Sequence, residues 1–124
     1  MGTESVKGDG KRGIERELKR GSIELAVLHV LSWGEAYGYE IVTKLAEQTG
    51  GALEVTDGTL YPILYRLEAA GMVEVRWETL KRGVPRKYYQ LTKSGRSELR
   101  RQTEEWTAFA SAMNRLLRQP SEDR

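Results

Sequence analysis

Asp57-Gly-Thr-Leu-Tyr-Pro-Ile-Leu-Tyr-Arg-Leu-Glu-Ala-Ala-Gly-Met-Val-Glu-Val-Arg-Trp77 changes its hydrophobic period partway along. Leu60, Ile63, Leu64 and Leu67 fall at i, i+3, i+4 and i+7, the spacing that gathers side chains on one face of an α-helix. After Gly71, Val73, Val75 and Trp77 alternate with Glu74, Arg76 and Glu78, the period-two mark of a half-buried strand. The spacing predicts a helix capped by Thr56 or Asp57, ended before Gly71, and followed at once by a strand. At 100° per residue, the face opposite the apolar stripe carries Gly58, Thr59, Pro62, Tyr65, Arg66 and Ala69, with Tyr61 at its flank. Pro62 has no N–H for the Gly58 carbonyl and presses on it, which predicts a distorted first turn with backbone donors open to an anion.

Two helices precede this stretch. Ile23, Leu25, Ala26, Val27, Leu28, Val30, Leu31 and Trp33 are apolar nearly all round, so this segment is the buried centre, capped by Ser22 and ended by Gly34. His29 lies inside the run and reads as a core or half-buried histidine. A second helix covers about Tyr37 to Gln48, with Ile41, Val42, Leu45 and Ala46 inward, and Gly50-Gly51 stops it. Downstream, a turn at Lys81-Arg-Gly-Val-Pro leads to a second alternating run, Arg86-Lys-Tyr-Tyr-Gln-Leu, predicting a hairpin with a basic tip. Thr92 caps a long last helix reaching about Arg118. In it Leu99, Trp106 and Met113 are spaced by seven, while Phe109 and Leu116 follow three after the last two. With Leu117 they form an apolar seam, broken by Gln102. Such a helix needs a second copy, or folds back onto its own domain. The boundaries expected are a disordered tail over 1–13, a domain over 14–91, the last helix over 92–118 and a disordered end over 119–124.

Charge is strongly partitioned. From Glu24 to Val75 there are eight acids and two bases, whereas Arg76 to Arg96 holds seven bases and one acid, a net +6 in 21 residues. Such density suits a phosphate backbone, although a solvated hairpin reads the same way. The 124 residues, 39% hydrophobic and 31% charged, allow one core and one accessory element. No apolar run is long enough for a bilayer and the first ten residues hold no hydrophobic signal segment, so the expected location is the cytoplasm with no membrane partner. The absence of cysteine excludes disulfides, thiolate metal sites and cysteine nucleophiles. No metal or cofactor is expected.

Three helices followed by a hairpin is the order of a winged helix-turn-helix. The expected fold is therefore mainly α with a small β-hairpin, plus a long C-terminal dimerisation helix. In that arrangement the third helix enters the major groove and the basic wing straddles the neighbouring phosphates. Arg66, the sole base on the third helix, either reads a guanine edge, clamps a phosphate, or pairs within the protein. Tyr61 and Tyr65 either donate to phosphates or pack at the junction of helix and wing.

Gly38-Tyr-Glu-Ile, Gly58-Thr-Leu-Tyr-Pro-Ile-Leu-Tyr-Arg-Leu-Glu, Ala70-Gly-Met-Val and Arg86-Lys-Tyr-Tyr-Gln-Leu-Thr-Lys-Ser-Gly together resemble the PadR family of bacterial transcription regulators, over roughly Leu18 to Leu117. The resemblance implies operator binding by a homodimer built through the C-terminal helix, with repression until an effector or cellular signal releases it. It implies DNA contacts from Tyr39, Thr59, Tyr61, Arg82, Arg86 and Lys87, to which the basic tip adds Lys81. The single short C-terminal helix resembles a compact subgroup, some members of which sense planar drugs or phenolic compounds. By that resemblance Trp106, with Trp33, is a candidate contact for a planar aromatic effector; otherwise it simply packs in the seam.

Two other classes compete. A winged-helix protein-interaction module would carry an apolar patch on the third helix, where this chain has Thr59, Tyr65 and Arg66 beside the basic hairpin. An enzyme is disfavoured, because one histidine, no cysteine and no phosphate-binding glycine loop leave nothing to carry a reaction. A dimer would set its recognition helices about 34 Å apart, on an inverted repeat of duplex DNA.

Overall fold

The computed structural model describes residues 21–121. The expected tail over 1–13, the start of the 14–91 domain and residues 122–124 lie outside them. Helix α1 covers residues 21–31. It is followed by β1 (Ala36–Tyr37), α2 (Gly38–Gln48), α3 (Asp57–Ala69), β2 (Val73–Glu78), β3 (Arg86–Leu91) and α4 (Lys93–Leu117). The molecule is mostly helical, with one antiparallel sheet in the order β1-β3-β2.

The sheet has one strand more than the sequence predicts. Ala36 and Tyr37 pair with Tyr89 and Tyr88 across β3, whereas the pattern assigned Tyr37 to the start of α2. Two residues are too few to show a period, and their pairing partners lie 53 and 51 positions away. Tyr37 is instead the cap residue of α2, and its N–H donates to the Glu40 carboxylate at 3.1 Å. The hairpin is in continuous register, Val73 opposite Leu91 through Glu78 opposite Arg86.

The core gathers Val27, Leu28 and Leu31 of α1, Ile41 and Leu45 of α2, the α3 stripe Leu60, Ile63, Leu64 and Leu67, and Val73, Tyr89 and Leu91 of the hairpin. Every residue of the predicted α3 stripe is thus buried. Three local expectations are corrected. Helical residues already include Gly21, so Ser22 lies inside α1 and does not cap it. His29 is exposed, because the buried face of α1 passes through Val27, Leu28, Val30 and Leu31, and its ring leans edge-on against Trp33 at 5.3 Å. Trp77 is 62% exposed although it alternates in phase with Val73 and Val75, since the hairpin projects past the core before reaching it.

The ends of α3 fix where the wing begins. The Met72 N–H donates to the Leu67 carbonyl at 2.9 Å and the Gly71 N–H to Glu68 at 3.0 Å, a closure that needs the left-handed φ of 76° at Gly71. α3 itself runs as one helix through Pro62, so the distorted turn expected there is not a break.

Thr92 then fastens α4. Its Oγ1 accepts from the Gly95 N–H at 3.0 Å and donates to the Gly71 carbonyl at 2.7 Å, while its own N–H donates to Met72 at 3.1 Å. Gly95 is there because a Cβ at that point would lie 2.0 Å from the Met72 carbonyl oxygen. Past Leu99 and Gln102, α4 leaves the domain, and Phe109, Leu116 and Leu117 are exposed along it. Among the described residues no helix is long and apolar enough to cross a membrane.

Candidate nucleic-acid interface

Because Leu60, Ile63, Leu64 and Leu67 turn inward, α3 presents Gly58, Thr59, Pro62 and Tyr65 to solvent. Tyr61 stands between the two faces. It is half-buried against the core, its ring 6.0 Å from that of Tyr65, and its hydroxyl rests over Gly38 at the start of α2. A Cβ on Gly38 would meet that oxygen at 2.3 Å, so the glycine makes room for the tyrosine. Tyr39, 72% exposed, stacks on Tyr37 with centroids 6.5 Å apart.

The wing separates two bases that are adjacent in sequence. Alternation along β3 sends Lys87 and Tyr89 toward α3, and Arg86 and Tyr88 to the opposite face. Lys87 lies 3.6 Å from the Glu68 carboxylate and within 5.3–5.7 Å of the ring centroids of Tyr65, Trp77 and Tyr89. Burial works against its charge, but Tyr89, Glu68 and Tyr65 outweigh it and raise its pKa. Among the described residues the Tyr89 hydroxyl is buried with no hydrogen-bond partner by geometry, and the nearby Lys87 ammonium acts on it electrostatically. Burial raises the phenol's pKa, with Lys87 opposing. Lys87 therefore braces the wing against α3. Arg86 lies over the Tyr37 ring at 4.4 Å, exposed, with its pKa raised first by the Tyr88 hydroxyl and then by Tyr37. Lys81 and Arg82 are exposed at the hairpin tip and form no ion pair among the described residues.

Arg66 is drawn elsewhere. Its guanidinium pairs with Glu24 of α1, the internal salt bridge that the sequence left open as one reading. Glu24 also accepts from the Gln102 amide of α4 at 2.9 Å. Gln102, which interrupts the apolar seam, is thus a polar link between the middle of α4 and α1. The same amide donates to Glu98 at 2.8 Å, and Arg101 pairs with both Glu98 and Glu105. Hydrogen bonds from Arg101 and Gln102 hold the Glu98 pKa down to about 2.

Arg76 is likewise occupied, its guanidinium bonding both oxygens of Glu35. Sequence reasoning missed Glu24, Glu35 and Tyr37. Each acts across 41 or more positions, and local spacing carries no signal for that.

Hollows flank α4, and two of them border Trp106. One of about 550 Å³ lies among Glu24, Arg66, Gln102, Trp106 and Phe109, and one of about 450 Å³ among Trp33, Lys44, Thr103 and Trp106. Trp33 and Trp106, paired in the sequence reading, border the same hollow. The seam residues separate: Leu99 packs against the core, while Trp106, Phe109, Met113, Leu116 and Leu117 keep 36–72% exposure.

A helix with an exposed polar face beside a basic wing, carried on this topology, is the arrangement of DNA-reading regulators. The family model described as "Transcriptional regulator PadR-like family" matches residues 27–101. The chain belongs to the PadR-like family of transcriptional regulators. Its similarity to a transcriptional regulator of Mycobacterium tuberculosis is 36% identity over 84 residues, 68% of this chain and 75% of that protein. With the negative transcriptional regulator PadR of Bacillus subtilis it shares 31% over 77 residues, 62% of this chain but 42% of the relative. The solved PadR family regulator from Eggerthella lenta superposes with a TM-score of 0.72 at 34% identity, covering 94% of this chain and 96% of that one. The PadR-like winged helix therefore accounts for the whole described domain, the third strand included.

Proposed function

We propose that this PadR-like chain is a homodimeric, sequence-specific repressor that binds an inverted repeat in duplex DNA in the cytoplasm. The carrying observation is the exposed polar face of α3 on a domain whose wing also carries the exposed bases Lys81, Arg82 and Arg86, none of them in an ion pair among the described residues. Gly58, Thr59, Pro62 and Tyr65 face the groove, Tyr61 and Tyr39 flank it, and the wing bases take phosphates. Lys87 contributes charge from behind, since Glu68 and three rings hold its side chain. Arg66 is left out of the contact set because Glu24 holds it toward α1.

The dimer is supported by the exposed α4 seam of Trp106, Phe109, Met113, Leu116 and Leu117, an apolar stripe on a helix that has left its own core. Repression follows the negative regulator among the relatives. Targets in a stress, efflux or detoxification operon, and release by a planar aromatic effector at the hollow between Trp33 and Trp106, are the finer parts of this reading. The domain limits of this reading are a DNA-binding unit over 14–91 and a dimerisation helix over 92–118.

The test is a gel-shift titration against the DNA upstream of the chain's own gene, with scrambled competitor at two salt concentrations. Specific binding that weakens steeply with salt is the expected result. Failure there, followed by failure to enrich any fragment in a genome-wide selection, would favour a winged-helix module that binds protein.

A further inference from the structure

One face of the sheet carries a ladder of two arginines and two tyrosines, of which the contact set above uses only Arg86. Glu35 holds Arg76 by both carboxylate oxygens, and the Arg76 guanidinium lies 4.6 Å from the Tyr88 ring centroid. Tyr88 meets Tyr37 edge-on at 5.4 Å, and Arg86 lies over Tyr37 at 4.4 Å. The strand register builds this ladder: Arg76 is opposite Tyr88, and Tyr88 is opposite Tyr37.

The two ends differ in charge. Glu35 neutralises Arg76, so that end is an anchor. Arg86 has no carboxylate at ion-pair distance among the described residues, and its cross-strand neighbour Glu78 acts on it only at longer range. Its charge is therefore available to a partner.

A guanidinium stacked on a ring is covered on one face while the N–H donors in its plane stay free, and those donors match the paired oxygens of a phosphate. A free arginine loses its rotamer freedom when it binds; one already held on a ring has lost much of it beforehand. We propose that Tyr37 is a positioning residue for DNA binding: its ring holds Arg86 in the pose that grips a backbone phosphate, with Tyr88, Arg76 and Glu35 fixing the ring from behind. Exposed Tyr39, stacked on Tyr37, closes the outer side. This proposal rests on the reading of the wing as a DNA surface.

The experiment is a double-mutant cycle on the full chain, read by fluorescence anisotropy against the operator fragment across a salt series. Tyr37→Phe keeps the ring and is expected to bind within twofold of wild type. Tyr37→Leu removes the ring and weakens binding about two- to fivefold per domain, the range for an exposed cation–π contact. In an Arg86→Ala background Tyr37→Leu changes affinity no further, while the salt slope drops only with Arg86→Ala. Equal losses from Tyr37→Leu in both backgrounds, or a loss from Tyr37→Phe as large as from Tyr37→Leu, overturn the proposal.

Thermal midpoints accompany each variant. Should Tyr37→Leu unfold, Arg86→Lys takes its place, because it keeps the charge and loses the planar stack. A binding loss like that of Arg86→Ala then supports the role, and wild-type affinity refutes it. Wild-type protein that binds no duplex refutes the DNA reading and this proposal together, whereas binding with an additive cycle refutes the positioning role alone.

Discussion

Gly95→Ala separates helix propensity from tertiary packing because the two predict opposite signs. On propensity alone, alanine in α4 stabilises by up to about 1 kcal/mol over glycine. The structure puts the new Cβ 2.0 Å from the Met72 carbonyl oxygen, where ordinary contacts begin at 3.4 Å, so that oxygen must retreat by about 1.4 Å. It belongs to backbone and cannot rotate aside. The same carbonyl accepts the Thr92 N–H, and Thr92 Oγ1 donates to Gly71 next door. Losing both bonds costs about 2 kcal/mol, and forcing the packing apart about 1–3 more. Net of propensity, the expected destabilisation is about 2–4 kcal/mol. Urea unfolding followed by circular dichroism at fixed protein concentration measures it, the concentration being held because the proposed dimer would link it to stability. Gly58→Ala is the control: its nearest neighbour is Thr56 Oγ1 at 3.8 Å, and it is expected to be neutral or slightly stabilising. A Gly95→Ala protein as stable as wild type would refute the packing argument.

Gly38→Ala meets only the Tyr61 side chain, its hydroxyl at 2.3 Å and its Cζ at 3.0 Å, the far end of a side chain that can swing; the expected outcome is operator affinity lowered several-fold with a urea midpoint close to wild type, and a large midpoint loss would count against it. Glu98 titrates near 2 rather than 4.5. Its folded pKa being the lower one, its contribution to stability is present above about 4.5 and is lost as pH falls toward 2. A carboxyl NMR titration with a midpoint above 4 would contradict the Arg101 and Gln102 bonds. Replacing Phe109 and Leu116 by aspartate puts charges into the exposed α4 seam and is expected to give a folded monomer by sedimentation, with operator binding reduced at least tenfold; an intact dimer would move the interface elsewhere.

Much of this protein was legible locally. The α3 stripe, the switch of period after Gly71 and the Thr92 cap depend on residues within a few positions of one another, and periodicity measures those relations directly. The element order then leads to the winged helix, and the Gly-Thr-Leu-Tyr-Pro and Arg-Lys-Tyr-Tyr strings to the PadR-like family. The sequence also places the basic tip, because Lys81, Arg82 and Arg86 lie within six residues.

What each charge does was decided by the tertiary structure. Seven bases between Arg76 and Arg96 look alike in sequence, yet Arg76 is spent on Glu35 and Lys87 on Glu68. Arg66, the candidate base-reader by position, pairs with Glu24 forty-two residues earlier. Trp77 follows the apolar alternation and still faces solvent, because alternation gives the side of a strand and not the distance the core extends along it. Tyr37 became a strand residue only through pairing with β3. Local spacing sets which elements form and which face each buries; the partners of exposed charges and rings depend on which elements the fold brings together, and short-range pattern holds no record of that.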